Sequence, residues 1–117
     1  MNEPRSHTVP PAMGEFVPDA RWDRDEWREV FPLLIDRYVW DANGHRPVTQ
    51  AKLQYSADYL YVIFRVQDRY VRSVHTRYGD PVCQDACVEM FFNPAPEAGP
   101  FYFNIESNCG GVLFLSL

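Results

Sequence analysis

The chain has 117 residues, 46% of them hydrophobic, a formal net charge of −5 and no run of Lys or Arg. The length suits one domain with a modest core, the composition excludes a disordered chain, and the missing basic footprint argues against nucleic acid as a partner. No apolar run approaches a membrane span. Met1 to Gly14 holds no signal-peptide-like apolar stretch, so the chain as written carries no export address and no compartment is assigned.

In chain order, residues 1–15 hold Pro4, Pro10 and Pro11 and show no periodicity. They are expected to form a flexible N-terminal arm, or one irregular edge strand, ahead of a domain over residues 16–117. Asp23 or Asp25 is placed to cap a short helical turn, with Trp22, Trp27, Val30 and Phe31 as its apolar side and Pro32 as its stop. Asp41-Ala-Asn-Gly44 is turn chemistry; Asp41 and Asn43 resemble the opening of a calcium loop, but the rest of that pattern is missing. Ala51, Leu53 and Tyr55 alternate with Lys52 and Gln54, Ser56–Asp58 reverses the chain, and Leu60, Val62, Phe64 and Val66 alternate with Tyr61, Ile63, Arg65 and Gln67. This predicts a hairpin whose second strand, large on both sides, lies centrally in its sheet. Asp68–Asp80 reads as a polar excursion with room for one short strand.

From Asp85 the period is two: Ala86, Val88, Met90 and Phe92 fall on one side, Asp85, Cys87, Glu89 and Phe91 on the other. A breaker-rich loop, Asn93–Pro100, leads to a returning strand with Phe101, Phe103 and Ile105 toward the core and Tyr102, Asn104 and Glu106 opposite. Asn108–Gly111 turns the chain into a last strand from Val112. Short strands joined by turns, without repeats or heptads, predict an all-β, antiparallel β-sandwich. An apolar strand that stops near Leu117 needs a neighbour, so the sandwich reads as incomplete.

Glu89 is the first residue to question, because a carboxylate at a strand centre is costly unless solvated or paired. If residues 85–92 and 101–107 pair, Glu89, Phe91, Tyr102, Asn104 and Glu106 share one face. Carboxylates and amides beside rings suit a sugar, whose hydroxyls need donors and acceptors and whose apolar face packs on aromatics; the same pattern also describes a plain solvated sheet face. No catalytic residue is assigned. Asp85 and Glu89 are about 13 Å apart at ~3.3 Å per residue, too far for a glycosidase pair, and Glu89 with Glu106 lacks a His, nucleophile or Gly-rich loop beside it. Three cysteines exclude a fully paired framework and are expected as reduced, partly buried thiols. His75, Cys83, Cys87 and Cys109 lack zinc-knuckle spacing, so no metal ligand is assigned.

Three blocks carry a resemblance: Ala51-Lys-Leu-Gln-Tyr through Asp58-Tyr-Leu-Tyr-Val-Ile-Phe-Arg-Val-Gln-Asp68; Gln84-Asp-Ala-Cys-Val-Glu-Met-Phe-Phe92; and Tyr102-Phe-Asn-Ile-Glu-Ser-Asn108 with Gly111. Their order and spacing, with Asp19-Ala-Arg-Trp-Asp and Trp27 upstream, resemble the family 9 carbohydrate-binding modules, in the family 9-like branch of the DOMON-like, jelly-roll-like β-sandwiches. The resemblance implies a non-catalytic module that binds oligo- or polysaccharide, often attached to bacterial xylan- and cellulose-degrading enzymes and often extracellular. It implies that a hydroxyl-gripping carboxylate falls on Glu89 and further polar contacts on Asn104, Glu106 and Asn108. Some members bind calcium, for which no ligands are assigned here. Two tryptophans sandwich the sugar in the best-known branch. The first position falls on Cys83, with Tyr78 the neighbouring ring that could stand in, and the second lies beyond Leu117, which implies a fragment, a truncated chain or a diverged module. Two alternatives remain: a haem-binding DOMON-like electron-transfer domain using Met90 and His75, and a sandwich kept only for interaction or structure. Oligomeric state is not legible.

Overall fold

The computed structural model describes residues 4–38 and 43–117. It divides after Gln67 into two compact units, each built on a three-stranded antiparallel sheet. The all-β, antiparallel expectation is thereby met.

The first unit contains the helical turn α1 (Asp25–Arg28) and strands β1 (Leu33–Ile35), β2 (Val48–Tyr55) and β3 (Leu60–Gln67), in the sheet order β1-β2-β3. The predicted hairpin forms, with Ala51 opposite Phe64 and Leu53 opposite Val62. Ser56 tightens its reversal: its N–H donates to the Tyr59 carbonyl (2.8 Å) and its Oγ accepts the Tyr59 N–H (3.2 Å). Contrary to expectation, β2 is central and β3 lies on the sheet edge. Large side chains on both faces of β3 reflect burial on one face: Tyr61 and Ile63 join Trp27 and Val30 in the core, with Ala12, Phe16 and Trp22 packed around them. Leu60 and Val66, on the other face, stay exposed.

This core holds two polar side chains. Lys52 and Gln54 share a face with Ile63 and Tyr61 through register and are buried. Lys52 Nζ donates to the Trp27 carbonyl at 3.0 Å and Gln54 Nε2 to the Glu26 carbonyl at 2.9 Å. A four-residue helix leaves its carbonyls without intrahelical partners, and these two side chains supply them. Neither Asp23 nor Asp25 caps α1: the cap position is Arg24, without a side-chain bond. Phe31 points outward at 74% exposure, because the Val30 N–H closes back on the Trp27 carbonyl and Pro32 carries the chain away. Pro10 and Ala12 exchange backbone hydrogen bonds with Tyr55, and Pro11 bridges Tyr55 in parallel. Asp41 and Ala42, half of the predicted turn, lie outside the described residues; Asn43 Oδ1 accepts the His45 N–H at 3.0 Å.

The second unit contains β4 (Cys87–Phe92), β5 (Phe103–Asn108) and β6 (Leu113–Ser116), in that order across the sheet, with 3₁₀ turns at Val82–Gln84 and Pro96–Ala98. Residues 68–81 form no strand. In the loop after β4, Asn93 accepts the Ala95 N–H at 2.9 Å and donates to the Gly99 carbonyl at 3.0 Å. The alternation of β5 is as predicted but its burial is reversed. Asn104, Glu106 and Asn108 are the buried set, whereas Phe103 is 42% exposed. At the Asn108 end the polar face is the one met by the preceding segment, through His75 and Asp85.

Trp27 is fully buried at the centre of the first unit. Trp27→Ala is expected to cost about 3–5 kcal/mol, read as a lower urea midpoint by far-UV circular dichroism. A loss under about 1 kcal/mol, the ordinary surface range, would show that this ring does not organise the unit.

Candidate functional site

The register of β4 with β5 decides which side chains meet. Cys87 lies opposite Asn108, Glu89 opposite Glu106, and Phe91 opposite Asn104. Opposed residues share a face, so these six form one polar and aromatic strip. Tyr102, one step before β5, joins it through its ring, 5.8 Å from Phe91 at an interplanar angle of 61°. On the other side of β5, Glu106 lies opposite Phe114 and Asn104 opposite Ser116. Val88, Met90, Phe92, Phe103, Ile105, Leu113 and Leu115 fall on the opposite face by the same register.

Asn108 sits at one end of the strip and is internally committed. Its Nδ2 donates to the His75 carbonyl (2.9 Å) and to Asp85 Oδ2 (3.0 Å), while its Oδ1 accepts the N–H groups of Gly110 (3.1 Å) and Val112 (2.9 Å). Asp85 Oδ2 also accepts the N–H groups of Val74 (3.1 Å) and His75 (3.0 Å), and Arg72 Nε lies 3.4 Å from Oδ1. Burial pushes the Asp85 carboxyl up, but the His75 N–H, the Asn108 amide and the Val74 N–H outweigh it and hold the group below its ordinary value. The sequence gives Asp85 only as one member of an alternating strand; an acidic residue between a polar loop and an apolar strand was the signal of an anchor.

The middle of the strip carries the unusual electrostatics. A hydrogen bond to Glu89, then burial, then the charge of Glu89 push Glu106 from 4.5 up to about 7. Glu106 therefore holds its proton toward neutral pH, with Glu89 opposite it across the strands. Among the described residues no ion pair links either to a base. Burial, followed by the charges of Glu89, Glu106, Cys83 and Asp85, pushes the neighbouring Cys87 thiol up to about 11; it is a poor nucleophile. One step along β5, Asn104 is 8% exposed and its buried Nδ2 has no partner. Phe91 and Tyr102, at 60% and 55% exposure, flank that end.

The sequence-derived residues therefore divide. Glu89, Phe91, Asn104, Glu106 and Tyr102 are contiguous. Cys83, exposed on the Val82–Gln84 turn, and the exposed Tyr78 belong to the Asn108 end: Gly79, next to Tyr78, donates its N–H to the Leu113 carbonyl at the start of β6. All three cysteines are free, but only Cys87 is partly buried. No group of three His, Cys, Asp or Glu among the described residues is placed to hold a metal. His75 turns Nε2 to Gln84 Oε1 at 3.2 Å and Nδ1 toward Asp80 at 3.7 Å, while Met90 lies on the opposite face from Glu89. No helix among the described residues is long and apolar enough to cross a membrane.

The sign of the pH dependence follows. The folded chain keeps the Glu106 proton up to about 7 whereas the unfolded chain releases it near 4.5, so this group's stabilisation is complete below 4.5 and fades as pH rises toward 7. Asp85 has the opposite sense, contributing above 3.8 and losing its contribution as pH falls. Urea midpoints are expected to drop between these limits on raising pH, and Glu106→Gln to flatten that slope. An unchanged slope in the variant would show that Glu106 does not hold its proton in the folded chain. Asp85→Ala, which strands two loop N–H groups and the Asn108 amide, is expected to cost about 1–3 kcal/mol and to speed hydrogen exchange at Val74 and His75; unchanged exchange there would disprove the anchor.

The comparisons follow this geometry. No curated protein and no solved structure matches the chain. The model of carbohydrate-binding family 9 matches residues 26–117, which include all six strands and the whole Glu89–Glu106 strip. The chain belongs to carbohydrate-binding family 9, a family of carbohydrate-binding modules.

Proposed function

We propose that the strip formed by Glu89, Phe91, Asn104 and Glu106, with Tyr102 beside it, is a non-catalytic saccharide-binding face, and that the chain serves as an accessory module in polysaccharide degradation. Family membership, which shows carbohydrate binding in general, supports the accessory role. The site follows from one observation: a buried amide donor without a partner, Asn104 Nδ2, beside two carboxyls that together offer both an acceptor and a donor. Sugar hydroxyls can satisfy all three, and exposed rings at the same end offer an apolar surface for the pyranose.

The non-catalytic reading is supported by membership of a family of binding modules and by the Cys87 thiol beside the carboxyls, pushed up to about 11 and so a poor nucleophile. Asn108 supports the strip from within, since its amide is already saturated. Cys83, at the position of a stacking tryptophan in the family, offers no ring.

Isothermal titration with glucose, cellobiose, xylobiose and galactose tests the proposal. At least one is expected to bind, and Asn104→Ala to weaken it by about 1–3 kcal/mol, roughly 5- to 150-fold, with the fold retained by circular dichroism. No heat with any of the four, or full affinity in Asn104→Ala, would remove this site.

A further inference from the structure

Building on the saccharide-binding reading, we infer that this face selects amino sugars carrying a free ammonium group over their neutral counterparts, the ammonium seating between Glu89 and Glu106 and a neighbouring hydroxyl accepting from Asn104. The two carboxyls lie directly opposite each other across β4 and β5. Cys87 on β4 is their thiol neighbour; beyond it Asp85 has His75 and Arg72 beside it. The adjoining positions on β6 are Phe114 and Ser116. Among the described residues no ion pair joins a cation to Glu89 or Glu106, and Glu106 is buried while Glu89 is exposed, so the pair is open to an incoming cation from one side.

The second observation is independent of the carboxyls. Asn104, two residues along β5 on the same face, is more than nine-tenths buried with Nδ2 unpartnered. Its donor asks for an acceptor beside whatever sits on the pair. A hydroxyl next to an amine on one pyranose ring presents that combination; a neutral sugar presents the hydroxyl but not the charge.

The proton balance is explicit. Before binding, Glu106 holds its proton. An incoming ammonium keeps its own three protons, donates hydrogen bonds to both groups, and displaces the Glu106 proton to solvent. No bond to carbon forms or breaks. Binding of the ammonium sugar should release up to one proton per ligand at about pH 6, whereas a neutral sugar can bond to the pair as it stands and releases none.

Glucosamine disaccharide, its N-acetylated form and cellobiose are compared by isothermal titration at about pH 6 in buffers of different ionisation enthalpy, with a linear diamine as a charge control. The free-amine disaccharide should bind about tenfold more tightly than cellobiose, because a hydrogen bond to a charged group contributes more than a neutral one, and only it should show buffer-dependent heat from proton release. Glu106→Gln should bring the affinity ratio toward one. Where that variant fails to fold, the buffer dependence on the native chain decides. Equal affinity for the free-amine and neutral disaccharides overturns the inference, as does absence of proton release, or a diamine that binds as tightly as the amino sugar. Neutral binding without amino-sugar preference would leave the saccharide-binding reading standing, whereas no binding by any sugar would remove both.

Discussion

The hydrogen bonds that join Asp85 to Asn108 hold the second unit in register. A carboxylate withdrawn from water is costly unless donors reach it; here Oδ2 takes donors from the Val74–His75 backbone and the end of β5, while Oδ1 has no hydrogen-bond partner and faces Arg72 Nε at 3.4 Å. Asn108 then uses its oxygen to fix the turn that carries the chain into β6. The start of β4 and the end of β5 are clamped together immediately beside the Cys87–Asn108 pair. A slip by one residue would move every β5 side chain to the other face, so the pairing of Glu89 with Glu106 depends on this node.

Like charges placed opposite each other on a sheet are destabilising. Holding Glu106 protonated well above its ordinary range removes that repulsion. In the first unit the Lys52 and Gln54 donors reach α1 carbonyls. Each unit also buries a donor without a partner, Trp27 Nε1 in the first and Asn104 Nδ2 in the second, but only Asn104 shares its sheet face with a carboxyl pair. Local departures of this kind tend to collect where a chain meets a ligand.

The strips on β4 and β5 were legible because period two is a strong signal and the breaker-rich Asn93–Pro100 segment returns the chain antiparallel. Which strip would be buried was not legible. Alternation assigns residues to faces, but burial depends on what flanks and covers each face, and β5 buries its Asn and Glu side, which at the Asn108 end is the side met by the preceding segment. The same gap explains β3. Large residues on both sides suggested a central strand, whereas Tyr61 and Ile63 are covered by the core around Trp27 rather than by another strand. Lys52 and Gln54 looked outward by residue type; only their long donors meeting the carbonyls of α1 make them interior. Asp85 escaped notice because its partners lie in a loop with no periodicity.

Where the exposed rings stand bears on where a sugar ring would lie on the proposed face. Cys83 sits at the Asn108 end, on a turn with no aromatic side chain, and a thiol offers little surface to a pyranose. Phe91 and Tyr102 stand at the opposite end, edge to face and exposed, directly beside the open Asn104 amide. A ligand held there would rest its apolar side on these two rings and turn its polar edge along β5, toward Asn104 first and the carboxyl pair next. The ring surface and the unsatisfied donor thus fall together at one end of the strip, while Asn108 at the other end has no free hydrogen-bonding capacity in its amide to offer.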